Sequence, residues 1–293
     1  MLGTYVERAI RRAGLEAAGK TVASAIHSAV LAGGEPARNV ADLLHGTWLG
    51  HPLHPVLTDI TVGSWSLATL FDGIAAVTGS EDAESAADTL VTVGVLSAVP
   101  TALAGMTDYS TIQKPAAGTG LVHALLNSTA LTLYVLSLLA RRRGARQVGV
   151  ILSTVAVNIL LASAWLGGHM VYKQRVGVNH NKEYDRGPKE WTPVLAHEEL
   201  QEGEPMRIEV EGEPVLLYRH AGTVYAIGAV CAHAGGPLEE GKFDGLCVEC
   251  PWHQSVYDLR DGSVVHGPST YPQPNYAARI LNGQIELRVE SGS

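Results

Sequence analysis

Two short stretches, Cys231-Ala232-His233 and Cys250-Pro251-Trp252-His253, decide how the C-terminal part of this 293-residue chain is expected to fold. Each stretch offers one thiol and one imidazole, and 16 residues separate His233 from Cys250. Around them, short runs in which apolar and polar residues alternate are separated by Glu-Gly, Ala-Gly and Asn-Gly turns. The runs lie at 206–210, 214–218, 223–227 and 284–289. A period of two with such turns predicts a small antiparallel β domain that carries both stretches.

The two stretches have the residue types of an iron–sulfur site. Two thiolates and two imidazoles from paired loops suit a [2Fe–2S] cluster in which two cysteines hold one iron and two histidines hold the other. Neutral imidazole in place of thiolate lowers the negative charge of the cluster and so raises its reduction potential. We therefore predict that Cys231, His233, Cys250 and His253 bind a [2Fe–2S] cluster.

A structural zinc site is the alternative for the same residues. Cys247 and Cys250 have the C-x-x-C spacing that zinc sites use, and Cys231 with His233 would complete a tetrahedral set. That arrangement leaves His253 and the residues after it without a role. The cluster is therefore the favoured interpretation, and Cys247 is expected to be a spare buried thiol.

The β region resembles the Rieske iron–sulfur family over about residues 191–289. The resemblance implies that Cys231 and Cys250 are ligands of the buried iron. It implies in the same way that His233 and His253 are ligands of the exposed iron. A Rieske cluster carries one electron at a time, so the resemblance also implies electron transfer.

Residues beside the predicted ligands indicate which members of the Rieske family the chain resembles more. Members of the cytochrome bc type have two further cysteines that form a disulfide, and here those places hold Gly236 and Trp252, as in Rieske ferredoxins. Ser255 and Tyr257 match the hydroxyl donors that high-potential members direct at the cluster sulfurs. The resemblance therefore implies an intermediate reduction potential, with these two hydroxyls around the cluster.

Composition indicates that another part of the chain lies in a membrane. The chain has 21 basic and 29 acidic residues, a net charge of -8, which argues against nucleic acid as a partner. Only 17% of residues are charged and the mean hydropathy is +0.11. Residues 56–170 are almost free of charge. Three cysteines do not make a disulfide framework.

Four apolar stretches predict four membrane-spanning helices. They lie at 56–77, 89–107, 119–140 and 147–169, each near the ~20 residues that cross a bilayer. Gly, Ala, Ser and Thr are frequent in all four, as where membrane helices pack closely. A soluble bundle is less favoured because its helices would show a polar face. The predicted fold class is thus multi-domain: an all-α four-helix transmembrane bundle followed by a small all-β domain.

With four antiparallel spans, six ionisable residues fall at one membrane face. They are His51, His54, Asp59, Asp108, His123 and His169. Ionisable groups at membrane depth suggest function by default. Imidazoles from two helices could hold haem b, and the set could instead bind a non-haem metal or a quinone. A purely structural role for these side chains, as interface caps, is the other alternative.

The ends of the predicted bundle also resemble a known family. Residues 49–55 read Leu-Gly-His-Pro-Leu-His-Pro and residues 166–172 read Leu-Gly-Gly-His-Met-Val-Tyr. Over about residues 40–178 the chain resembles a bacterial four-helix membrane domain of unknown function, which in some actinobacterial-type proteins is fused to a Rieske domain. The expected division is 1–50 as an N-terminal amphipathic or interfacial region, 51–172 as the transmembrane domain, 173–190 as a linker and 191–293 as the Rieske domain.

Residues 1–50 and the orientation of the chain are less determined. The N-terminal region fits either a basic amphipathic helix at the membrane surface or an ordinary solvated helix. The chain is expected in the cell membrane with several spans. The lack of a secretory signal and of a disulfide favours a cytoplasmic Rieske domain, whereas the arginine run at 141–143 favours the opposite side.

The leading hypothesis is a membrane-anchored one-electron carrier. Its cluster would exchange electrons between a redox partner and the histidine-lined membrane face. The expected partners are the lipid bilayer and a redox partner protein or quinone, with a homo-oligomer allowed. One alternative is a complete quinone or metal oxidoreductase with haem b or metal at the membrane histidines, so enzyme status stays open. A non-catalytic redox sensor or structural zinc module is another.

Overall fold

The computed structural model describes residues 2–112, 116–181 and 186–289. The chain divides into two units. We call Met1–Gly34 with Pro52–Val176 the helical unit, and Glu35–His51 with Gly177–Ser293 the β unit. The predicted boundary at residue 50 differs from this grouping, because residues 35–51 group with the C-terminal residues and not with residues 1–34.

The described residues include seven α-helices. They are α1 (Leu2–Arg12), α2 (Leu15–Ala32), α3 (Gly34–His45), α4 (Leu53–Thr78), α5 (Glu81–Ser110), α6 (Ala116–Arg142) and α7 (Arg146–Tyr172). Helices α4 to α7 are long and apolar enough to cross a membrane. They confirm the four predicted apolar helices and extend them by several residues at their ends.

Local sequence explains where α5 begins. Ser80 is its N-cap and accepts a hydrogen bond from the Ala83 N–H at 3.2 Å. The first turn is acidic, with Glu81, Asp82 and Glu84, which suits the positive end of the helix dipole.

Small side chains let the long helices approach one another closely. A Cβ at Gly94 would lie 2.2 Å from the Trp65 indole nitrogen, so only glycine fits there.

A buried ionic cluster joins all four long helices at one end of the helical unit. Arg141 of α6 pairs with both carboxylate oxygens of Asp72 of α4 and donates to Asp88 of α5 at 2.7 Å. Arg146 of α7 reaches Asp88 at 2.5 Å and Asp72 at 2.9 Å. The side chain of Arg141 is 1% exposed and that of Asp72 is 6% exposed. Opposite charges thus neutralise each other where water is scarce.

This cluster changes how the arginine run at 141–143 counts toward membrane orientation. Arg141 belongs to the buried cluster, and Arg142 and Arg143 are exposed. A cation that is paired inside the bundle adds little to the loop charge that sets orientation. The run is therefore weaker evidence than its three arginines suggest.

We expect Arg141→Gln to lower the free energy of unfolding of the detergent-solubilised protein by about 3 kcal/mol, because it leaves buried carboxylates with one cation fewer. The control is Arg142→Gln, which removes an exposed arginine from the same helix end. The double variant Arg141→Gln/Asp72→Asn should lose less than the two single losses added together. Thermal unfolding followed by tryptophan fluorescence measures this. Equal stability of the Arg141→Gln and Arg142→Gln variants would contradict the role of the cluster.

The described residues of the β unit form two antiparallel sheets. The strands are β1 (Thr192–Ala196), β2 (Met206–Val210), β3 (Glu213–His220), β4 (Thr223–Gly228), β5 (Lys242–Asp244), β6 (Cys247–Glu249), β7 (Val256–Asp258), β8 (Val264–His266), β9 (Asn275–Leu281) and β10 (Gln284–Val289). One sheet has the order β1-β10-β9-β4-β3-β2 and the other has the order β5-β6-β7-β8. The four predicted runs are confirmed as β2, β3, β4 and β10.

Three two-residue turns set the register of the larger sheet. They lie at 211–212, 221–222 and 282–283, and each ends in glycine. Both residues of each turn have positive φ, between +50° and +80°. This is the type I′ geometry whose twist matches that of the flanking strands. The Glu-Gly, Ala-Gly and Asn-Gly pairs therefore act as predicted.

Two apolar clusters form the core of the β unit. The first packs against the larger sheet around Leu217, Ile285 and Leu287. The second contains Cys231 and Cys250 among buried aliphatic and aromatic side chains. The smaller sheet contributes to this second cluster, so its short strands position the cysteine-bearing loops.

Candidate metal centre

The first loop of the site, residues 231–236, follows β4. The Cys231 N–H donates to the Gly236 carbonyl at 2.8 Å, and the Gly235 N–H donates back to the Cys231 carbonyl at 2.8 Å. Gly235 has φ +82°, a left-handed conformation that glycine adopts without strain. The loop therefore folds around the cysteine and is closed by a glycine.

The second loop, residues 250–255, connects β6 to β7 and has the same hydrogen-bond pattern. The Cys250 N–H donates to the Ser255 carbonyl at 2.8 Å, and the Gln254 N–H donates to the Cys250 carbonyl at 3.1 Å. The left-handed position is Gln254, with φ +60°. The two loops thus present their ligand candidates in the same way, although only the first has glycine at that position.

The loops bring the four predicted ligands together in pairs. Cys231 and Cys250 are both buried. A hydrogen bond between the two thiols lowers the pKa of Cys231 to about 7 and raises the pKa of Cys250. The rings of His233 and His253 meet edge to face with centroids 5.0 Å apart. Two thiols side by side and two imidazoles side by side match the donor types that a Rieske diiron cluster uses.

A glycine lets the loops approach closely. A Cβ at Gly236 would lie 2.8 Å from the Sγ of Cys250 and 3.1 Å from the ring of Trp252. Any side chain there would push the two loops apart. The space beside the thiols is therefore kept open by Gly236, one of the two places where the bc-type disulfide would stand.

Both predicted hydroxyl donors are buried at the site. The Tyr257 hydroxyl lies 3.2 Å from the Sγ of Cys231. Burial raises the pKa of Tyr257, so the phenol stays protonated and can donate to sulfur. The Oγ of Ser255 accepts the Ser269 N–H at 3.0 Å, which leaves its own proton to donate. Their contribution to a bound cluster remains a prediction.

Gln273 is a residue of the site that the sequence did not reveal. Its side chain is buried, and in the amide orientation that satisfies its neighbours the side-chain oxygen accepts the Ala232 N–H at 2.8 Å and lies 3.2 Å from the Tyr257 hydroxyl oxygen. In that orientation it also donates to the Val230 carbonyl at 3.0 Å. Gln273 lies between two prolines with no periodicity around it, so no sequence signal marked it.

The geometry gives no support to a zinc site. Cys247 lies on β6 and pairs across the sheet with Asp258 of β7. Burial raises the pKa of Cys247, which disfavours the thiolate that zinc needs. Within 2–112, 116–181 and 186–289, no group of three or more His, Cys, Asp or Glu side chains is arranged to hold a single metal ion. A cluster with two protein ligands on each iron does not require such a group.

Three of the membrane histidines lie at the end of the helical unit opposite the Arg141 cluster. His54 Nδ1 donates to the Thr101 carbonyl at 2.9 Å, and His123 Nδ1 donates to the Ser163 carbonyl at 2.8 Å. Asn127 Nδ2 donates to His123 Nε2 at 3.0 Å, so both ring nitrogens of His123 are engaged. His169 Nε2 lies 2.9 Å from Glu7 Oε1.

The other three predicted members of this set are His51, Asp59 and Asp108. His51 belongs to the β unit, Asp59 is exposed on α4 and Asp108 is half-buried near the end of α5. Within the described residues, none of these six belongs to a group of three or more His, Cys, Asp or Glu side chains arranged to hold a metal ion. Haem or metal binding by the membrane histidines stays a prediction.

Comparisons with known proteins agree with both halves of this description. The Rieske [2Fe-2S] domain model matches residues 190–277, and the model for the predicted membrane protein family DUF2231 matches residues 50–180. The anthranilate 1,2-dioxygenase ferredoxin subunit of Burkholderia cepacia is 36% identical over 100 residues, which are 34% of this chain and 93% of that protein.

Two further relatives match the same kind of domain. The ferredoxin component of the naphthalene 1,2-dioxygenase system of Pseudomonas putida is 30% identical over 97 residues, 33% of this chain and 93% of that protein. The solved ferredoxin of carbazole 1,9a-dioxygenase from Nocardioides aromaticivorans IC177 is 29% identical with a TM-score of 0.33, covering 34% of this chain and 98% of that one.

The family match and the ferredoxin relatives support a [2Fe–2S] cluster as the cofactor. They also support electron transfer as its role. The chain belongs to the Rieske [2Fe–2S] family, and the stretch ahead of its Rieske domain matches the model for the predicted membrane protein family DUF2231.

Proposed function

We propose that this electron-transfer protein is anchored in the membrane by α4 to α7 and binds its cluster through Cys231, Cys250, His233 and His253. The observation that carries the proposal is the convergence of two like-folded loops, which pair the thiols and pair the imidazoles. When bound, a cluster with these ligands takes up and gives back one electron at a time. The histidine pair lowers its charge relative to an all-cysteine site.

The residues around the site divide it into a closed side and an open side. Both cysteines lie in an apolar cluster that excludes water. His253 is 8% exposed, His233 is half-buried and the neighbouring Trp252 is 45% exposed. We infer that electrons enter and leave at the histidine side, through His233 and the Trp252 surface.

Membrane anchoring is supported by the surface of the helical unit. Large apolar side chains are exposed along the long helices, among them Leu67, Leu70, Leu96, Val99, Ile151 and Leu161. In water such a surface would cost free energy, whereas lipid solvates it. The exposed apolar residues therefore suit a lipid bilayer as the immediate surroundings of α4 to α7. We place the Rieske domain on the cytoplasmic side, since its thiols are not part of a disulfide.

The partner is proposed from chain connectivity and from the relatives. The chain passes from one unit to the other between residues 34 and 35, 51 and 52, and 176 and 177, and this covalent connection raises the effective concentration of each unit near the other. We propose that the cluster exchanges electrons with the bundle end that carries His54, His123 and His169, or with a separate redox protein. The matched relatives are named as ferredoxin components of dioxygenase systems, which makes a redox protein the simplest separate partner.

Cysteine substitution tests the ligand assignment. We expect Cys231→Ser to abolish the Rieske-type EPR signal of the dithionite-reduced full-length protein, because one iron loses a thiolate. His253→Ala should do the same at the other iron. Cys247→Ser is the matched control, since it removes the third thiol, and we expect it to keep both iron and signal. Loss of the metal in Cys247→Ser, with zinc in the wild-type protein, would contradict the assignment and favour a zinc module.

The hydroxyl of Tyr257 should tune the reduction potential. A donor to sulfur stabilises the more negative, reduced cluster, so we expect Tyr257→Phe to shift the potential in the negative direction. A redox titration followed by EPR measures the shift. Tyr276→Phe is the control, because this buried tyrosine bonds to the Arg186 carbonyl and lies in the other apolar cluster. An equal shift in both variants, or a positive shift in Tyr257→Phe, would refute the role of the hydroxyl.

A second candidate function is a quinone or metal oxidoreductase that works through the membrane histidines. It is favoured by the placement of His54, His123 and His169 at one end of the bundle. A Soret band in the reduced-minus-oxidised spectrum that is lost in His123→Ala would support haem at this site. Quinone-dependent reoxidation of the cluster that is lost in the same variant would support a quinone site. If the cluster is reducible and neither signal is seen, electron transfer to a separate partner is the function that the result supports.

A further inference from the structure

Helix α3 belongs to the β unit from Glu35 onward and contacts residues next to the predicted cluster site. Asp42 accepts the Gly267 N–H at 2.7 Å and lies 2.7 Å from Nδ1 of His266. Arg38 donates to the Gln254 carbonyl at 3.3 Å. Gln254 directly follows the predicted ligand His253. Two side chains one helical turn apart on α3 thus hold the second loop and the turn at 266–267.

The contact of Arg38 falls on the one left-handed residue of the second loop. A residue with a Cβ disfavours the left-handed conformation that Gln254 adopts at φ +60°. The matching position of the first loop is Gly235, which adopts φ +82° without that cost. In the second loop, the carbonyl of this left-handed residue itself receives a hydrogen bond from outside the loop. In the first loop, an outside hydrogen bond reaches the Ala232 carbonyl, from the His180 N–H at 2.9 Å.

Helix α3 is also outside both family matches. The Rieske match covers residues 190–277 and the membrane-family match covers residues 50–180, whereas α3 is Gly34–His45. The segment is thus an addition to a Rieske domain in this chain. A helix that only connected two domains would not need charged side chains directed at a loop more than 200 residues away in sequence.

We propose that Arg38 is a positioning residue of the cluster site: its hydrogen bond holds Gln254 in the left-handed turn that presents His253. The proposal rests on the proposed function for the role of His253. Glu249 lies 3.5 Å from the Arg38 guanidinium and offsets much of its charge. The main effect of Arg38 is therefore on the geometry of the second loop. Its remaining positive charge favours the reduced cluster slightly.

The test combines substitutions at both ends of the hydrogen bond in the full-length, detergent-solubilised protein. Arg38→Ala removes the donor, Arg38→Lys keeps a donor, and Gln254→Gly removes the strain that the donor offsets. Asn39→Ala is the control, because Asn39 is exposed on the same helix. Two quantities are measured: the rate at which the reduced cluster is lost to a chelator, and hydrogen exchange of the amides at 250–255.

We expect Arg38→Ala to lose its cluster faster by about threefold to tenfold, the factor expected for one hydrogen bond. Amide exchange at 250–255 should rise in parallel, and the potential should move slightly negative. Arg38→Lys should recover part of the effect. The double variant Arg38→Ala/Gln254→Gly should return close to wild type, because a glycine turn does not need the support. Asn39→Ala should behave as wild type.

Two results would overturn the proposal. One is equal behaviour of Arg38→Ala and Asn39→Ala. The other is a loss in Arg38→Ala that Gln254→Gly does not restore, which would show that Arg38 supports the fold in some other way. Failure of the proposed function has a different signature, namely no Rieske-type EPR signal in the wild-type protein. Hydrogen exchange at 250–255 decides the role of Arg38 in that case too, because it needs no cluster.

Discussion

The close approach of the two ligand loops is the constraint on which the rest of the Rieske domain depends. A Cβ at Gly236 would lie only 2.8 Å from the Sγ of Cys250, so the loops are close because this position is glycine. Two loops this close can both bind one small cluster. The short strands β5 to β8 hold the second loop from both sides, and β4 leads into the first. The apolar cluster around both cysteines then keeps water from the sulfurs. The strands, the loops and the apolar core therefore all help to keep the two loops close together.

The helical unit contains charged and polar side chains inside an apolar bundle, and each of them needs a partner. Arg141, Asp72 and Asp88 satisfy one another at one end, and the histidines at the other end bond to backbone carbonyls and to neighbouring side chains. Such satisfied groups specify how helices pack, because any other packing would leave them buried without partners.

The features that were predicted from the sequence are those set by residues close together in the chain. The Cys-x-His and Cys-x-x-His motifs, the three glycine turns and the four apolar helices each depend on residues close in the chain. Arg38, Asp42 and Gln273 were missed because their contacts join distant segments that share no periodic pattern. The strands β5 to β8 have three residues each, which is too short for an alternating pattern to be recognised in the sequence. Residues 1–50 were ambiguous because an amphipathic helix can bury its apolar face against lipid or against protein, and only packing decides which.

We propose that one iron of the bound cluster has two thiolate ligands and that the other has two imidazole ligands. Mössbauer spectroscopy of the oxidised, iron-57-enriched full-length protein tests it most directly, because the two ferric sites then have different surroundings. We expect two distinct quadrupole doublets of equal area. A single doublet, as from two all-thiolate irons, or the absence of protein-bound iron would contradict it.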